Sequence, residues 1–149
     1  MNVTGTIDAI LSQKSGDVFS IAPEATVYDA VAKMAEKNCG ALVVMEGEKL
    51  VGIISERDYT RKVMLRGKKA RETPVSEIMS TQLTTVEPKE SVDHCLQFMT
   101  DKRVRHLPVV ENGKLCGVIS IGDLVKHVIS VQSATLQQLE SYISGGYGS

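Results

Sequence analysis

Two copies of one seven-residue pattern carry the residue types best suited to hold a ligand. The sequence reads GIISERD from Gly52 to Asp58 and GVISIGD from Gly117 to Asp123. Each copy places a serine three residues after the glycine and an aspartate three residues after the serine. Where a helix begins at the serine, its free amides and hydroxyl suit a phosphate, and the carboxylate suits a ribose diol. Each copy is therefore a candidate nucleotide site.

Helix capping is a second interpretation of the same residues. In a capping box the serine side chain accepts from the first turn and the acid reaches back to the serine amide. This explains Ser55 with Asp58, and Ser120 with Asp123, without any ligand. It does not explain the glycine, which lets another group approach the end of the strand closely. On the residues alone, both interpretations stay open.

The elements that position these residues come from an internal repeat with an offset of 65 residues. Val18–Met64 aligns with Leu83–Ile129 without a gap, and 14 of the 47 aligned positions are identical. Each copy predicts a β-α-β-β-α unit, which is an α+β pattern. The predicted strands are Val18–Ile21, Ala41–Glu46 and Lys49–Ile54 in one copy, and Leu83–Val86, His106–Glu111 and Lys114–Ile119 in the other.

The remaining signals set the boundaries of the predicted organisation. Thr26 and Ser91 are N-cap candidates, and Asn112–Gly113 is a strong hairpin turn. The connector holds a basic run, Arg66–Arg71, which is either a solvated loop or a contact for a bound phosphate. The last helix is expected to end at Gly145-Gly146. The predicted segments are 1–17 (N-terminal segment), 18–64 (unit 1), 65–82 (connector), 83–129 (unit 2) and 130–149 (C-terminal helix and frayed tail).

Composition argues against several classes of function. Lys plus Arg is 17 and Asp plus Glu is 18, and Trp is absent, so neither a basic nucleic-acid surface nor a base-stacking platform is expected. No apolar run is long enough to span a bilayer, and the first residues do not resemble a signal peptide. Cys39, Cys95 and Cys116 align with apolar residues of the opposite copy, which predicts buried thiols rather than a metal site. We expect a cytoplasmic protein.

The repeat resembles a tandem pair of cystathionine-β-synthase-type (CBS) domains. Besides the doubled Gly-x-x-Ser-x-x-Asp, the strings VRHLPVV at Val104–Val110 and GVISIGDLVK at Gly117–Lys126 are typical of that family. The resemblance covers Val18–Ile129 and is greatest to stand-alone bacterial pairs described as signal-transduction proteins. It implies two pseudo-twofold-related units, packed through their sheets, with two clefts between them.

The resemblance also implies the ligand and the residues that hold it. Related clefts bind adenosyl compounds such as AMP, ADP, ATP, S-adenosylmethionine or NAD(H). The aspartate holds the ribose, the serine helps to hold phosphate, the residue after the glycine touches adenine, and the first strand of the opposite unit closes the cleft. The expected ligand-binding set is Val18, Phe19, Ile21, Ala41, Ile53, Ser55, Arg57, Asp58, Thr84, Arg105, His106, Val118, Ser120 and Asp123.

The two clefts are not expected to be equivalent. Arg105-His106, a cationic pair that contacts phosphate in some relatives, aligns with Gly40-Ala41 in the first copy. Arg57 beside Asp58 is a partial substitute, since its counterpart is a glycine. The Asp123 cleft is therefore the preferred site.

The expected function is a regulatory module that senses an adenosyl ligand and acts on an unidentified partner, without catalysis. The alternative is an enzyme of small adenosyl substrates, for which the sequence offers neither a metal cluster nor a nucleophile–base pair. A homodimer is expected through apolar faces, unless the C-terminal helix folds back to cover them. Those faces are Tyr59, Val63 and Met64, then Leu124, His127 and Val128, continued by Val131, Leu136, Leu139 and Ile143.

Overall fold

The computed structural model describes residues 5–14 and 18–148, without the side chains of residues 142 and 144–148. The helices are α1 (Ile7–Gln13), α2 (Val27–Lys37), α3 (Glu56–Tyr59), α4 (Val75–Ile78), α5 (Val92–Lys102) and α6 (Ile121–Gly148). The strands are β1 (Ser20–Ile21), β2 (Ala41–Glu46), β3 (Lys49–Ser55), β4 (His106–Glu111) and β5 (Lys114–Ser120). A π-helical turn, Thr60–Met64, continues α3, and a 3-10 turn, Ala70–Glu72, precedes α4. The predicted α+β class is confirmed.

The chain forms two compact units. The first-repeat unit comprises Asp17–Thr85 with Pro108–Gly117, the outer part of the β4–β5 hairpin. The second-repeat unit comprises Met1–Gly16, Val86–Leu107 and Val118–Ser149. The N-terminal helix α1 therefore belongs with the second repeat rather than with the first.

The first-repeat unit has a three-stranded sheet in the order β1-β2-β3, parallel between β1 and β2 and antiparallel between β2 and β3. Helix α2 buries Val27, Ala30 and Met34, whose spacing is that of one helical face. Leu42 and Ile54 from the sheet complete this core together with residues of the connector. The Thr26 hydroxyl accepts from the Asp29 amide at 3.1 Å, as the cap prediction requires.

Each unit is completed by a short helix held by the same pair of backbone hydrogen bonds. In the first-repeat unit Val75 donates to Ala25 O at 2.8 Å, and Val27 donates to Thr73 O at 2.9 Å. In the second-repeat unit the bonds run from Ile7 to Glu90 O and from Val92 to Gly5 O, both at 3.0 Å. Helices α4 and α1 are thus equivalent elements, and α1 supplies the buried Ile7 and Ile10 to the second core.

Three predicted segments differ in the structure. The predicted strand Val18–Ile21 is shorter and comprises only Ser20–Ile21. Leu83–Val86 was expected to be a strand, but residues 83–85 form no strand pairing and Val86 makes a single bridge. Residues 83–85 belong to the first-repeat unit and Val86 to the second-repeat unit, so the segment is divided between the two units. Helix α6 continues past Gly145-Gly146 to Gly148. Glycine weakens a helix by about 1 kcal/mol but keeps its N–H, so it need not end one.

Two predictions about burial also need correction. Cys116 is exposed, because it lies on the outward face of β5, whereas Cys95 is buried as predicted. Burial, with a smaller effect of Glu90, raises the pKa of Cys95 to about 11. In the expected dimer faces, Val63 and Leu124 are buried in their own units and are 1% and 0% exposed. Their neighbours Met64 and Val125 are the exposed residues.

Candidate functional site

The first candidate site lies where β3 passes into α3, and its serine and aspartate form a complete capping box. Asp58 N donates to Ser55 Oγ at 3.2 Å, and Ser55 N donates to Asp58 Oδ2 at 2.9 Å. The Ser55 hydroxyl also donates to Asp58 Oδ2, at 3.1 Å. The capping interpretation is therefore correct for this copy, and one carboxylate oxygen is committed to it.

The other oxygen of Asp58 faces a lysine. Lys62, one helical turn further on, places Nζ 3.1 Å from Asp58 Oδ1 and donates to Ile78 O at 2.9 Å. The Asp58 side chain is only 14% exposed, so this pair is partly shielded from water. A carboxylate and a lysine ammonium group therefore form an ion pair at the start of α3.

The packing of the chain explains the glycine at position 52 without a ligand. A Cβ at this position would lie 2.7 Å from Met79 Sδ and 3.0 Å from the Ser80 carbonyl oxygen. The chain after α4 runs against β3 here, since Ile53 N donates to Ser80 O at 3.0 Å and Ser80 N donates to Ile53 O at 2.9 Å. The close neighbour indicated by the glycine is the protein's own backbone.

The second candidate site lies where β5 passes into α6 and repeats the cap. Ser120 N donates to Asp123 Oδ2 at 2.9 Å, and Asp123 N donates to Ser120 Oγ at 3.1 Å. Lys14, at the end of α1, places Nζ 2.8 Å from the same Asp123 Oδ2 and donates to Val118 O at 2.8 Å. The two sites thus share a carboxylate–lysine pair but take the lysine from different elements.

Burial and charge set the protonation states at the second site. Burial raises the pKa of Asp123, but the hydrogen bonds from Lys14 and Ser120 outweigh it and hold this pKa below its ordinary value of 3.8. Burial lowers the pKa of His106 from 6.5; Asp123 opposes this change, while Arg105 and Lys14 add to it. At neutral pH the site therefore holds an ionised carboxylate, two cations and a neutral imidazole.

Lys14 was missed by the sequence analysis, although a signal for it exists. Ile7 and Val75 are equivalent by their hydrogen bonds and lie 68 residues apart, whereas the repeat has an offset of 65. Three extra residues therefore fall between α1 and β1, and Lys14 lies in that stretch. With one gap, the repeat extends to α1 and brings Lys14 to attention as a residue of the longer connection.

Several other predicted residues lie next to the caps. Ala41 is opposite Ser55 in the β2–β3 register, and Ile53, two residues before it, is half-buried on β3. Arg57 is exposed on α3. In the second-repeat unit, the Arg105 carbonyl accepts from Ile121 N at 2.8 Å, which brings the start of β4 to the start of α6.

The residues predicted to close the clefts are less well defined. Phe19 and Ile21 pack partly buried against the core of their own first-repeat unit, with Val18 half-buried before them. Asp123 belongs to the second-repeat unit, so their role at that aspartate stays a prediction. Thr84 is half-buried in the same unit as Asp58, and its contact with a ligand likewise stays a prediction.

Comparison with known proteins agrees with the fold and the repeat. The CBS domain family model matches residues 10–65 and 75–130. The chain therefore belongs to the CBS-domain family and contains a pair of these domains, which form a regulatory module.

Individual relatives show the same architecture. The mitochondrial CBS domain-containing protein CBSX3 of Arabidopsis thaliana is 46% identical over 127 residues, which is 82% of this chain and 62% of that protein. A CBS-domain protein of Burkholderia ambifaria, provisionally assigned to signal transduction, has a solved structure with TM-score 0.82 at 47% identity, covering 84% of this chain and 94% of that one. The CBS pair of MJ0100, solved with 5′-methylthioadenosine and S-adenosylmethionine, has TM-score 0.72 at 24% identity over 81% of this chain and 97% of that one.

Neither a membrane span nor a metal-ligand cluster is found in residues 5–14 and 18–148. This part of the chain has no helix long and apolar enough to cross a membrane. The same residues contain no cluster of three or more His, Cys, Asp or Glu side chains that could hold a metal ion.

Proposed function

We propose that this protein is a regulatory module that binds an adenine nucleotide, AMP, ADP, ATP or NAD(H), and passes its occupancy to a partner protein. The observation that carries the proposal is the carboxylate–lysine pair at the start of a helix in both units. Asp58 and Asp123 hold the ribose diol, while the serine hydroxyls, the helix amides and the lysines serve phosphate. The module acts without chemistry of its own, and the cytoplasm is its expected location.

Local charge favours an anionic ligand at the second site. Lys14 pairs with Asp123, the charge of Arg105 acts on His106, and the lowered pKa keeps His106 neutral at pH 7. A nucleotide phosphate would balance the excess positive charge, whereas a cationic sulfonium would add to it. We therefore rank AMP, ADP and ATP above S-adenosylmethionine for this chain.

The Lys14–Asp123 pair is compatible with ribose binding. A carboxylate oxygen can accept more than one hydrogen bond, so a ribose hydroxyl can donate to Asp123 while the cap remains in place. Lys14, at the end of α1 and on a flexible side chain, can then turn toward the phosphate. The MJ0100 complex supports this only at the level of fold, because it shows that a CBS pair can hold adenosyl compounds.

Thermal unfolding with a ligand panel tests the proposal. Millimolar AMP, ADP, ATP, NAD or NADH should raise the melting temperature, since a ligand at about 100 times its Kd adds about 2.7 kcal/mol. An Asp58→Asn/Asp123→Asn variant should lose this increase in melting temperature. The control, Asp29→Asn/Asp101→Asn, replaces one exposed aspartate in each unit and should keep it. A melting temperature unmoved by all five ligands in nucleotide-free protein would overturn the proposal. Release of product from ATP or NADH would instead favour the enzyme alternative.

A further inference from the structure

One side chain connects the end of helix α1 to β5 and to the start of α6. Lys14 Nζ lies 2.8 Å from Asp123 Oδ2 and donates at the same distance to Val118 O, on β5. These two residues are the ones expected to contact the ribose and the adenine of a ligand. The lysine ammonium therefore lies between the two expected nucleoside contacts of the second-repeat unit. We call its two bonds the Lys14 latch.

The backbone holds the last turn of α1 only weakly. Lys14 N donates to Ile10 O at 3.2 Å and to Leu11 O at 3.3 Å, which are long for hydrogen bonds between a backbone N–H and a carbonyl. Gln13 and Lys14 are exposed, whereas Ile7 and Ile10 anchor the first turns in the core. Helix ends open at a much lower free energy than core elements do. The latch is therefore a substantial part of what orders this turn.

The equivalent connection in the first-repeat unit is made by the backbone. Ile53 is the counterpart of Val118 in the repeat, and its carbonyl accepts from Ser80 N at 2.9 Å. Ile53 N also donates to Ser80 O, at 3.0 Å. Such a backbone pair has no alternative partner nearby, whereas a lysine ammonium on a flexible stem can change partners. The second-repeat unit therefore has a connection that a ligand can break.

We propose that ligand binding at the second site opens the Lys14 latch and loosens the last turn of α1. The proposal rests on the proposed function, because a nucleotide that contacts Asp123 and Val118 takes the place of the ammonium between them. Lys14 then exchanges the carboxylate for the ligand phosphate, which keeps its charge paired. Since the latched and the ligand-bound arrangements exclude each other, binding shifts the equilibrium toward the open turn. The turn is exposed, so a partner protein can distinguish the two states there.

Hydrogen exchange of the full-length chain, followed by NMR at the Gln13 and Lys14 amides, tests the latch. Saturating AMP, with binding measured by titration calorimetry, should increase the exchange rate of these two amides severalfold. The Val92 amide, which donates to Gly5 O at 3.0 Å, should not exchange faster. A ligand that only stabilised the unit would slow all three amides, so the direction of the change separates the two effects.

Substitutions test the latch before any ligand is added. Lys14→Gln should exchange faster than the wild type at both amides and should respond little to AMP. Lys14→Arg, which keeps the charge, should retain most of the protection. Gln13→Ala replaces the adjoining exposed side chain and is the control. Its amides should be protected as in the wild type and should exchange faster once AMP is bound.

The possible failures separate the latch from the proposed function. If AMP binds to the wild type and exchange at Gln13 and Lys14 is unchanged or slower, the latch is wrong and nucleotide binding stands. Protection in Lys14→Gln equal to that of the wild type would also overturn the latch, whatever AMP does. If AMP does not bind to the wild type at all, both proposals are overturned.

Discussion

Lys14 is the residue whose role the structure changes most, and its effect should depend on the charge of the ligand. Lys14→Gln removes a cation from the phosphate end of the second site but also removes a partner of Asp123. AMP affinity should fall about tenfold, equivalent to about 1.4 kcal/mol, whereas adenosine, which has no phosphate, should bind as well as before or better. Titration calorimetry with both ligands measures this.

The control for this substitution is Lys126→Gln, an exposed lysine of the same unit, which should leave both affinities unchanged. Equal losses for AMP and adenosine would mean that Lys14 supports the fold of the site and does not contact phosphate.

His106 should make the stability of the protein depend on pH. Its pKa is lowered from 6.5 by burial, with Arg105 and Lys14 adding and Asp123 opposing. As the pH falls below 6.5, His106 is protonated in the unfolded chain but stays neutral in the folded chain. The free energy of unfolding therefore decreases between pH 6.5 and the lowered pKa of the folded state. His106→Ala, which introduces the residue found at Ala41 in the first copy, should lose less stability between pH 7 and pH 5. Melting curves at both pH values decide this, and equal losses in the two proteins would refute it.

At the scale of elements, the contact between β3 and the chain after α4 predicts that a side chain at position 52 lowers the stability of the protein. Gly52→Ala would place a Cβ 3.0 Å from a backbone oxygen, which cannot move as freely as the Met79 side chain. Such overpacking typically costs about 1–3 kcal/mol. Denaturant unfolding should show this loss, and Met79→Ala should relieve only part of it.

Gly122→Ala is the matched control, because its Cβ would meet only Ser120 Oγ at an ordinary 3.6 Å. This variant should be neutral or slightly more stable, since alanine favours helix more than glycine does. Similar losses in both variants would show that the proximity of Ser80 to Gly52 is not what constrains this position.

Much of the element order follows from local sequence signals, and the exceptions have a physical reason. The caps at Thr26 and Ser91 and the turn at Asn112–Gly113 depend on neighbouring residues only, so short patterns predict them. The contacts of Lys14 with Asp123 and of Gly52 with Ser80 join residues distant in sequence. No local pattern specifies such contacts, so the sequence could not identify the group that approaches Gly52, which is the chain itself.

At the scale of the whole molecule, the repeat gives two candidate sites from one pattern, and the charged neighbours of the two aspartates differ. The first site takes its lysine from the turn that continues α3, and the second takes it from the end of α1, with the charge of Arg105 acting on His106. A protein with two different sites can respond to ligand concentration in two steps. Asp123→Ala should therefore weaken the tighter binding step, by about 1.5–3 kcal/mol for a hydrogen bond to a charged group.

Titration calorimetry of nucleotide-free wild type, Asp58→Ala and Asp123→Ala with AMP tests the central claim most directly. We expect saturable binding to the wild type, a larger loss of affinity in Asp123→Ala than in Asp58→Ala, and far-UV spectra that show both variants folded. If AMP gives no saturable heat, or if both variants melt at lower temperature but bind AMP as the wild type does, the two aspartates only cap helices and the claim is contradicted.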